Sequence, residues 1–148
     1  MSLRETQAAV LLVEDDPGHA LLIEKNLRRT GLASSIVVLD NGRKAADYLL
    51  KQGDYARSGH LLPPFVLLDL GLPILNGLQV LKLMKSDERT RRIPVIVLTS
   101  TDNPREIAQC YELGCNLYVT KPVEYDRFSD AMQRLGTFLS IVKSPEKE

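Results

Sequence analysis

Five short, almost wholly apolar runs, each followed by a stretch with helical spacing, restrict this chain to very few folds. The runs are Ala8–Val13, Ile36–Leu39, Phe65–Leu68, Val95–Leu98 and Leu117–Val119. A strand without polar alternation needs cover on both faces, which is the situation of a parallel sheet lying between helices. The segments between the runs supply those helices. One extends from about Gly18 to Arg29 and ends at Thr30-Gly31; the next opens at the capping residues Asp40-Asn41 and reaches about Lys51 before Gly53. A third carries Leu78, Leu81 and Met84, and a fourth opens at Asn103-Pro104-Arg105-Glu106, which offers an N-cap, a proline at N1 and an acid at N3, and stops at Leu113-Gly114. The last carries Phe128, Met132, Leu135, Phe138 or Leu139, and Val142, with Gly136 interrupting it at modest cost. Alternation of this kind predicts an α/β fold with a parallel sheet, right-handed crossovers and helices on both faces.

The chain of 148 residues is expected to form one domain over residues 4–143, followed by a short polar tail at 144–148 and no separate effector domain. The longest irregular stretch, Gln52–Pro64, is expected to be a loop. Lys plus Arg and Asp plus Glu both number 19, so there is no net basic field to draw nucleic acid or an anionic membrane. The first apolar run breaks off at Glu14-Asp15-Asp16, too short for a signal-peptide core or a membrane span, and a cytoplasmic location is expected. Cys110 and Cys115 match neither a CxxC pair nor a zinc half-site and are expected to be reduced packing residues.

In open parallel sheets, binding sites form beyond the carboxyl ends of the strands. Here those ends deliver Glu14-Asp15-Asp16, Asp69, Thr99-Ser100 and Lys121-Pro122. Clustered carboxylates repel by roughly 4 kcal/mol per pair at 4 Å and an effective dielectric of 20, so such a set calls for a cation or a proton. Mg2+, or Mn2+, suits hard oxygen donors, whereas His19 and His60 stand at no ligand spacing that would favour zinc. A strand-end carboxylate beside such an ion can attack a phosphoryl group. Asp69 is the natural nucleophile, the Thr99 hydroxyl can donate to one phosphoryl oxygen, and the Lys121 ammonium can pair with another. Asp16 reads as a helix cap, with an outer-shell role as the alternative.

The segments Leu12-Val13-Glu14-Asp15, Leu67-Leu68-Asp69-Leu70-Gly71-Leu72-Pro73, Val97-Leu98-Thr99-Ser100 and Tyr118-Val119-Thr120-Lys121-Pro122 resemble the receiver domains of two-component response regulators, and the resemblance covers almost the whole chain. It implies a flavodoxin-like (βα)5 sandwich with strand order 2-1-3-4-5. It also implies that Glu14 and Asp15 form the acid pair, that Asp15 and Asp69 ligate the metal directly, and that Gly71 offers it a backbone carbonyl. Asp69 would be the phosphoacceptor, Thr99 and Tyr118 a coupled switch, and Lys121-Pro122 a cis peptide bond. The Gln52–Pro64 loop, the Lys85-Ser86-Asp87 and Arg92-Ile93-Pro94 run and the short tail resemble single-domain receivers paired with phytochrome-like histidine kinases. The partners so implied are a sensor histidine kinase, an unnamed downstream protein, and a second copy meeting it through the fourth helix, fifth strand and fifth helix. At Gly71 many receivers carry a side chain that reaches toward the phosphoryl group, so this chain departs from the pattern there.

Three rival readings have weaker support. A haloacid-dehalogenase-like phosphatase would place an Asp-x-Asp run after the first strand, where Glu14-Asp15-Asp16 stands. A flavin or nucleotide carrier would need a GxGxxG or GxxxxGK[ST] loop there, and the chain has neither, nor any Trp. A receiver-shaped scaffold that takes no phosphate would not need Asp69, Thr99 and Lys121 together.

Overall fold

The buried runs form strands because β-branched residues and leucines pack well on a pleated surface covered on both sides. The computed structural model describes residues 8–143 apart from 32, 34, 101, 122 and 123, and side chains as far as Arg134. The strands are β1 (Val10–Val13), β2 (Ile36–Leu39), β3 (Val66–Asp69), β4 (Val95–Thr99) and β5 (Leu117–Thr120). The helices are α1 (Pro17–Arg29), α2 (Gly42–Leu50), α3 (Gly77–Ser86), α4 (Pro104–Glu112) and α5 (Tyr125–Lys143). All four strand pairings are parallel and the order is β2-β1-β3-β4-β5. This is the flavodoxin-like (βα)5 arrangement expected from the sequence.

Alternation along the strands sorts the core into two layers. Leu11, Val13, Val66, Leu68, Val95 and Val97 face α2, α3 and α4, where they meet Leu49, Leu81, Met84 and Cys110. Val10, Leu12, Phe65, Leu67, Ile96, Leu98 and Val119 face α1 and α5, where they meet Ile23, Leu27, Phe128 and Met132. Both cysteines are buried in the first layer, as expected of packing residues. Burial pushes both thiols up, Cys115 to about 12.

The ends of the helices follow local chemistry. Asp16 Oδ1 accepts from the His19 N–H at 3.0 Å and caps α1, with Pro17 at its first position. Asn41 caps α2, and that helix ends with Lys51 in the left-handed region at φ 54°, where a glycine had the better claim and Gly53 stood two residues too late. Asn76 and Gln79 form a reciprocal capping box at α3, a signal the sequence carried but that its hydrophobic pattern alone did not reveal. The Gln52–Pro64 stretch contains one 3₁₀ turn, Gly53–Tyr55, so it is not wholly irregular. His60 holds it down: its ring stacks on Tyr48 at 4.0 Å and its Nε2–H donates to the Tyr48 carbonyl at 2.8 Å. The predicted apolar positions of α5 from Leu135 onward lie outside the described side chains.

The loop from β3 to α3 matters most for the strand ends. It turns through Pro73–Leu75, where the Leu75 N–H donates to the Pro73 carbonyl at 2.9 Å and Ile74 takes φ 72°, a strained value for a β-branched residue. Two glycines let it pack closely. A Cβ on Gly77 would lie 2.3 Å from the Asp69 carbonyl oxygen, and one on Gly42 would lie 1.8 Å from the Leu75 carbonyl oxygen.

Two outcomes are expected. Gly77→Ala should lower stability in urea by about 2–3 kcal/mol because backbone must shift, whereas Gly71→Ala, whose Cβ meets nothing within 4 Å, should change it by less than ~0.5 kcal/mol. Both thiols should resist a disulfide reagent at pH 8 in the folded protein and react fully once denaturant is added; rapid labelling of folded protein would contradict their burial.

Candidate functional site

Parity along the strands decides which polar residues meet. Glu14 stands an even number of residues after Val10 and Leu12, Asp69 after Phe65 and Leu67, and Lys121 after Val119, so all three continue the face turned toward α1 and α5. β1 and β3 are neighbours and β4 lies between β3 and β5, so a side chain arriving from the end of β5 must be long to reach both acids. Lys121 reaches them. Its Nζ donates to Glu14 Oε1 at 2.5 Å and stands 3.2 Å from Asp69 Oδ2.

Burial makes this triad tight. The Glu14 side chain is 0% exposed, that of Asp69 8% and that of Lys121 10%. Burial raises the Glu14 pKa, against the hydrogen bond from Lys121 that lowers it. Burial alone would depress Lys121, but its hydrogen bond to Glu14 and the fields of Asp69 and Glu14 outweigh that, and its pKa stands above the ordinary lysine value. The second Glu14 oxygen accepts from the Asp16 N–H at 3.2 Å, so both of its oxygens are engaged. Asp69 is less committed: Oδ1 accepts only a long 3.3 Å hydrogen bond from the Gly71 N–H.

These groups line an open cleft of about 410 Å³ at the carboxyl edge of the sheet. Asp15 is exposed there, Thr99 is buried and Ser100 exposed, and Gly71 forms part of the wall. Glu14, Asp15 and Asp69 each offer a carboxylate oxygen, and the three oxygens lie within 4.8 Å of one another. That spacing and all-oxygen chemistry fit a small hard cation such as Mg2+ or Mn2+. What the cleft offers chemically is therefore an accessible carboxylate flanked by a cation site, an ammonium and a hydroxyl.

Other predicted residues are placed as follows. Asp16 lies at the cleft's edge, but its side chain caps α1. Tyr118 sits on β5 beside Val97, on the same face of the sheet as Thr99; the residue is 36% exposed and its ring packs edge-on against Tyr111 of α4 at 5.9 Å. Pro122, and with it the expected cis bond, lies outside the described residues. Two residues that the sequence reading gave no part in the site, His19 of α1 and Glu106 of α4, also line the cleft. Their only signal was position within the first turn of helices that start at strand ends. Lys85, read merely as part of a run, clamps the α3–β4 connection by donating to the Arg91 and Ile93 carbonyls at 2.9 and 3.0 Å. No helix among the described residues is long and apolar enough to cross a membrane.

Comparison with known proteins agrees with this geometry. The bacteriophytochrome response regulator RtBRR superposes with a TM-score of 0.79 at 41% identity, covering 87% of this chain and 78% of its own. Rcp1, a response regulator of Synechocystis sp., is 37% identical over 112 residues, 76% of this chain and 75% of Rcp1. The solved Mn2+-bound form of Rcp1 matches with a TM-score of 0.72 at 30% identity over 93% of both chains. The receiver domain of a sensor histidine kinase from Pseudomonas aeruginosa, with a magnesium ion coordinated in its active-site cleft, matches with a TM-score of 0.68 at 28% identity, covering 86% of this chain and 95% of that one. Residues 10–133 match the response regulator receiver domain, and the chain therefore belongs to that family of two-component signalling domains.

Proposed function

We propose that the protein is a response regulator whose receiver domain accepts a phosphoryl group from a sensor histidine kinase onto Asp69 and signals through a change of surface. The observation that carries this reading is the contrast between the two buried acids. Glu14 has both oxygens engaged, whereas Asp69 faces the cleft with a weakly held oxygen that can act as a nucleophile. The similarity to the bacteriophytochrome response regulator RtBRR favours a phytochrome-like kinase as the donor.

Asp15 and Asp69, with Glu14 behind them and the Gly71 carbonyl as a further donor, would hold Mg2+ or Mn2+. Bound there, the ion supplies positive charge that brings an anionic phosphodonor up to a carboxylate. Asp69 attacks phosphorus as the bond to the donor histidine nitrogen breaks. Lys121, already 3.2 Å from Asp69 Oδ2, is positioned to pair with one phosphoryl oxygen, and Thr99 to donate to another. Movement of Thr99 toward the phosphoryl group would free space on its own face of the sheet. Tyr118 shares that face and lies toward the outside, so it can turn inward and change the surface of α4 and β5. That surface is the one offered to a downstream protein or to a second copy of the chain. On this reading the protein is a phosphoacceptor module that catalyses its own phosphorylation, not an enzyme that turns over a separate substrate.

Incubation with acetyl phosphate and magnesium should add a single phosphoryl mass to wild type and none to Asp69→Asn, and chelator should abolish the adduct. An adduct that survives in Asp69→Asn would move the acceptor elsewhere. Magnesium at 100 times its Kd should stabilise wild type by about 2.7 kcal/mol, roughly 5–10 °C in Tm. Asp15→Asn, at an exposed position that leaves the core intact, should lose most of that shift in a thermal melt, and an unchanged shift would remove Asp15 from the metal site.

A further inference from the structure

Among the groups of the cleft that the mechanism above does not use, His19 has the chemistry that suits removal of the phosphoryl group by water. His19 occupies the first turn of α1, fixed there by the Asp16 cap on its N–H, and its exposed side chain lines the cleft. Its ring makes no hydrogen bond among the described residues, unlike His60, whose ring is held by Tyr48 and Ser58. On the wall formed by Gly71 there is open space, since a Cβ there would meet nothing within 4 Å. With no side chain at Gly71, that part of the wall leaves room for a water.

We propose that His19 is the general base for hydrolysis of phosphorylated Asp69, and so sets the lifetime of the signal. The inference rests on the reading of Asp69 as phosphoacceptor. In the step, a water oxygen bonds to phosphorus while the bond from phosphorus to the Asp69 carboxylate oxygen breaks. The bonding pair returns to the carboxylate, inorganic phosphate leaves, and the proton released by the water passes to a ring nitrogen of His19 and then to solvent. Elimination supports the choice. Asp16 Oδ1 is committed to the helix cap and Glu14 to Lys121 and the Asp16 N–H. Asp15 and Asp69 are assigned to the cation and the phosphoryl group, and Lys121 is a cation that has no lone pair to offer. Glu106 remains, but a carboxylate is a far weaker base than imidazole near neutral pH. Imidazole is the side chain whose proton exchange falls in that range.

The test follows the decay of the acetyl-phosphate adduct by intact mass after the donor is removed, at saturating magnesium, from pH 5.5 to 8.5. The charged groups around His19 in the cleft are Glu14, Asp15, Asp16, Asp69, Glu106 and Lys121, and they are the same in all variants compared. Wild type should decay more slowly as pH falls, because a protonated imidazole has no lone pair to take the water's proton. His19→Gln should lengthen the lifetime by roughly 10²-fold and remove that pH dependence, while His60→Gln keeps both. A His19→Gln adduct that decays at the wild-type rate, or more slowly but with the wild-type pH profile, would overturn the assignment while leaving Asp69 as acceptor. Absence of any adduct on wild type would instead overturn the phosphoacceptor reading, and this inference with it.

Discussion

The Lys121 ammonium is the constraint around which the carboxyl edge of the sheet is organised. Parallel pairing of β1 with β3 and the parity of each strand force Glu14 and Asp69 onto one face and into proximity. Both are almost fully excluded from water, which would make two bare carboxylates untenable. Lys121 resolves the conflict at 2.5 and 3.2 Å, and it can do so only because β5 stands two strands from β3 and its side chain is long enough to cross the end of β4. The pairing is lopsided. Glu14 takes the short contact and becomes a fixed anchor, while Asp69 keeps the longer one and stays available to incoming groups.

An edge with this much buried charge needs a rigid platform beneath it. The two apolar layers provide one, because the central strands β1, β3 and β4 are buried throughout on both faces. The connections at the carboxyl edge are also fixed. The Lys121 N–H donates to the Thr99 carbonyl at 2.7 Å and the Leu70 N–H to the Leu98 carbonyl at 3.1 Å, which ties β5 to β4 and the exit of β3 to β4. The Gly77 N–H donates to the Leu70 carbonyl at 3.0 Å, and the absent Cβ at that position is what lets α3 begin against the backbone of Asp69. Strain at Ile74 is the consequence of making that return in so few residues.

Much of this arrangement was legible in the sequence for a simple reason. Strands buried on both faces read as unbroken apolar runs, and polar residues at their ends stand out sharply, as Asp69 does after Val66-Leu67-Leu68. Helix entries were legible where capping chemistry is local, as at Asn41 and Asn103. The boundaries slipped by a residue or so at strand ends, where Asp69, Thr99 and Thr120 prove to be part of their strands because ladder pairing extends past the last apolar side chain. What could not be read depends on contacts between residues distant in sequence. Lys121 engages Glu14 across more than a hundred residues, and His60 stacks on Tyr48 across twelve. The choice of Thr99 over Ser100 could not be made from the residues alone; in the fold Thr99 is 4% exposed and continues the strand, while Ser100 turns outward.

The position of Lys121 also bears on how a cation and a phosphoryl group share this cleft in the proposed mechanism. A divalent ion beside Asp15 and Asp69 adds positive charge within a few ångströms of an ammonium that already serves the same carboxylate, and like charges at that range repel. The attraction between Lys121 and Asp69 is therefore weakened once the ion is held, while the contact of Lys121 with Glu14, shorter and fully buried, is least exposed to that competition. A phosphoryl group on Asp69 reverses the balance, since it adds negative charge between the ion and the ammonium and gives both a shared partner. In that arrangement the contact with Glu14 would keep the ammonium at the cleft. On this view the buried Glu14–Lys121 pair would contribute less to the stability of the fold than to keeping the ammonium beside Asp69.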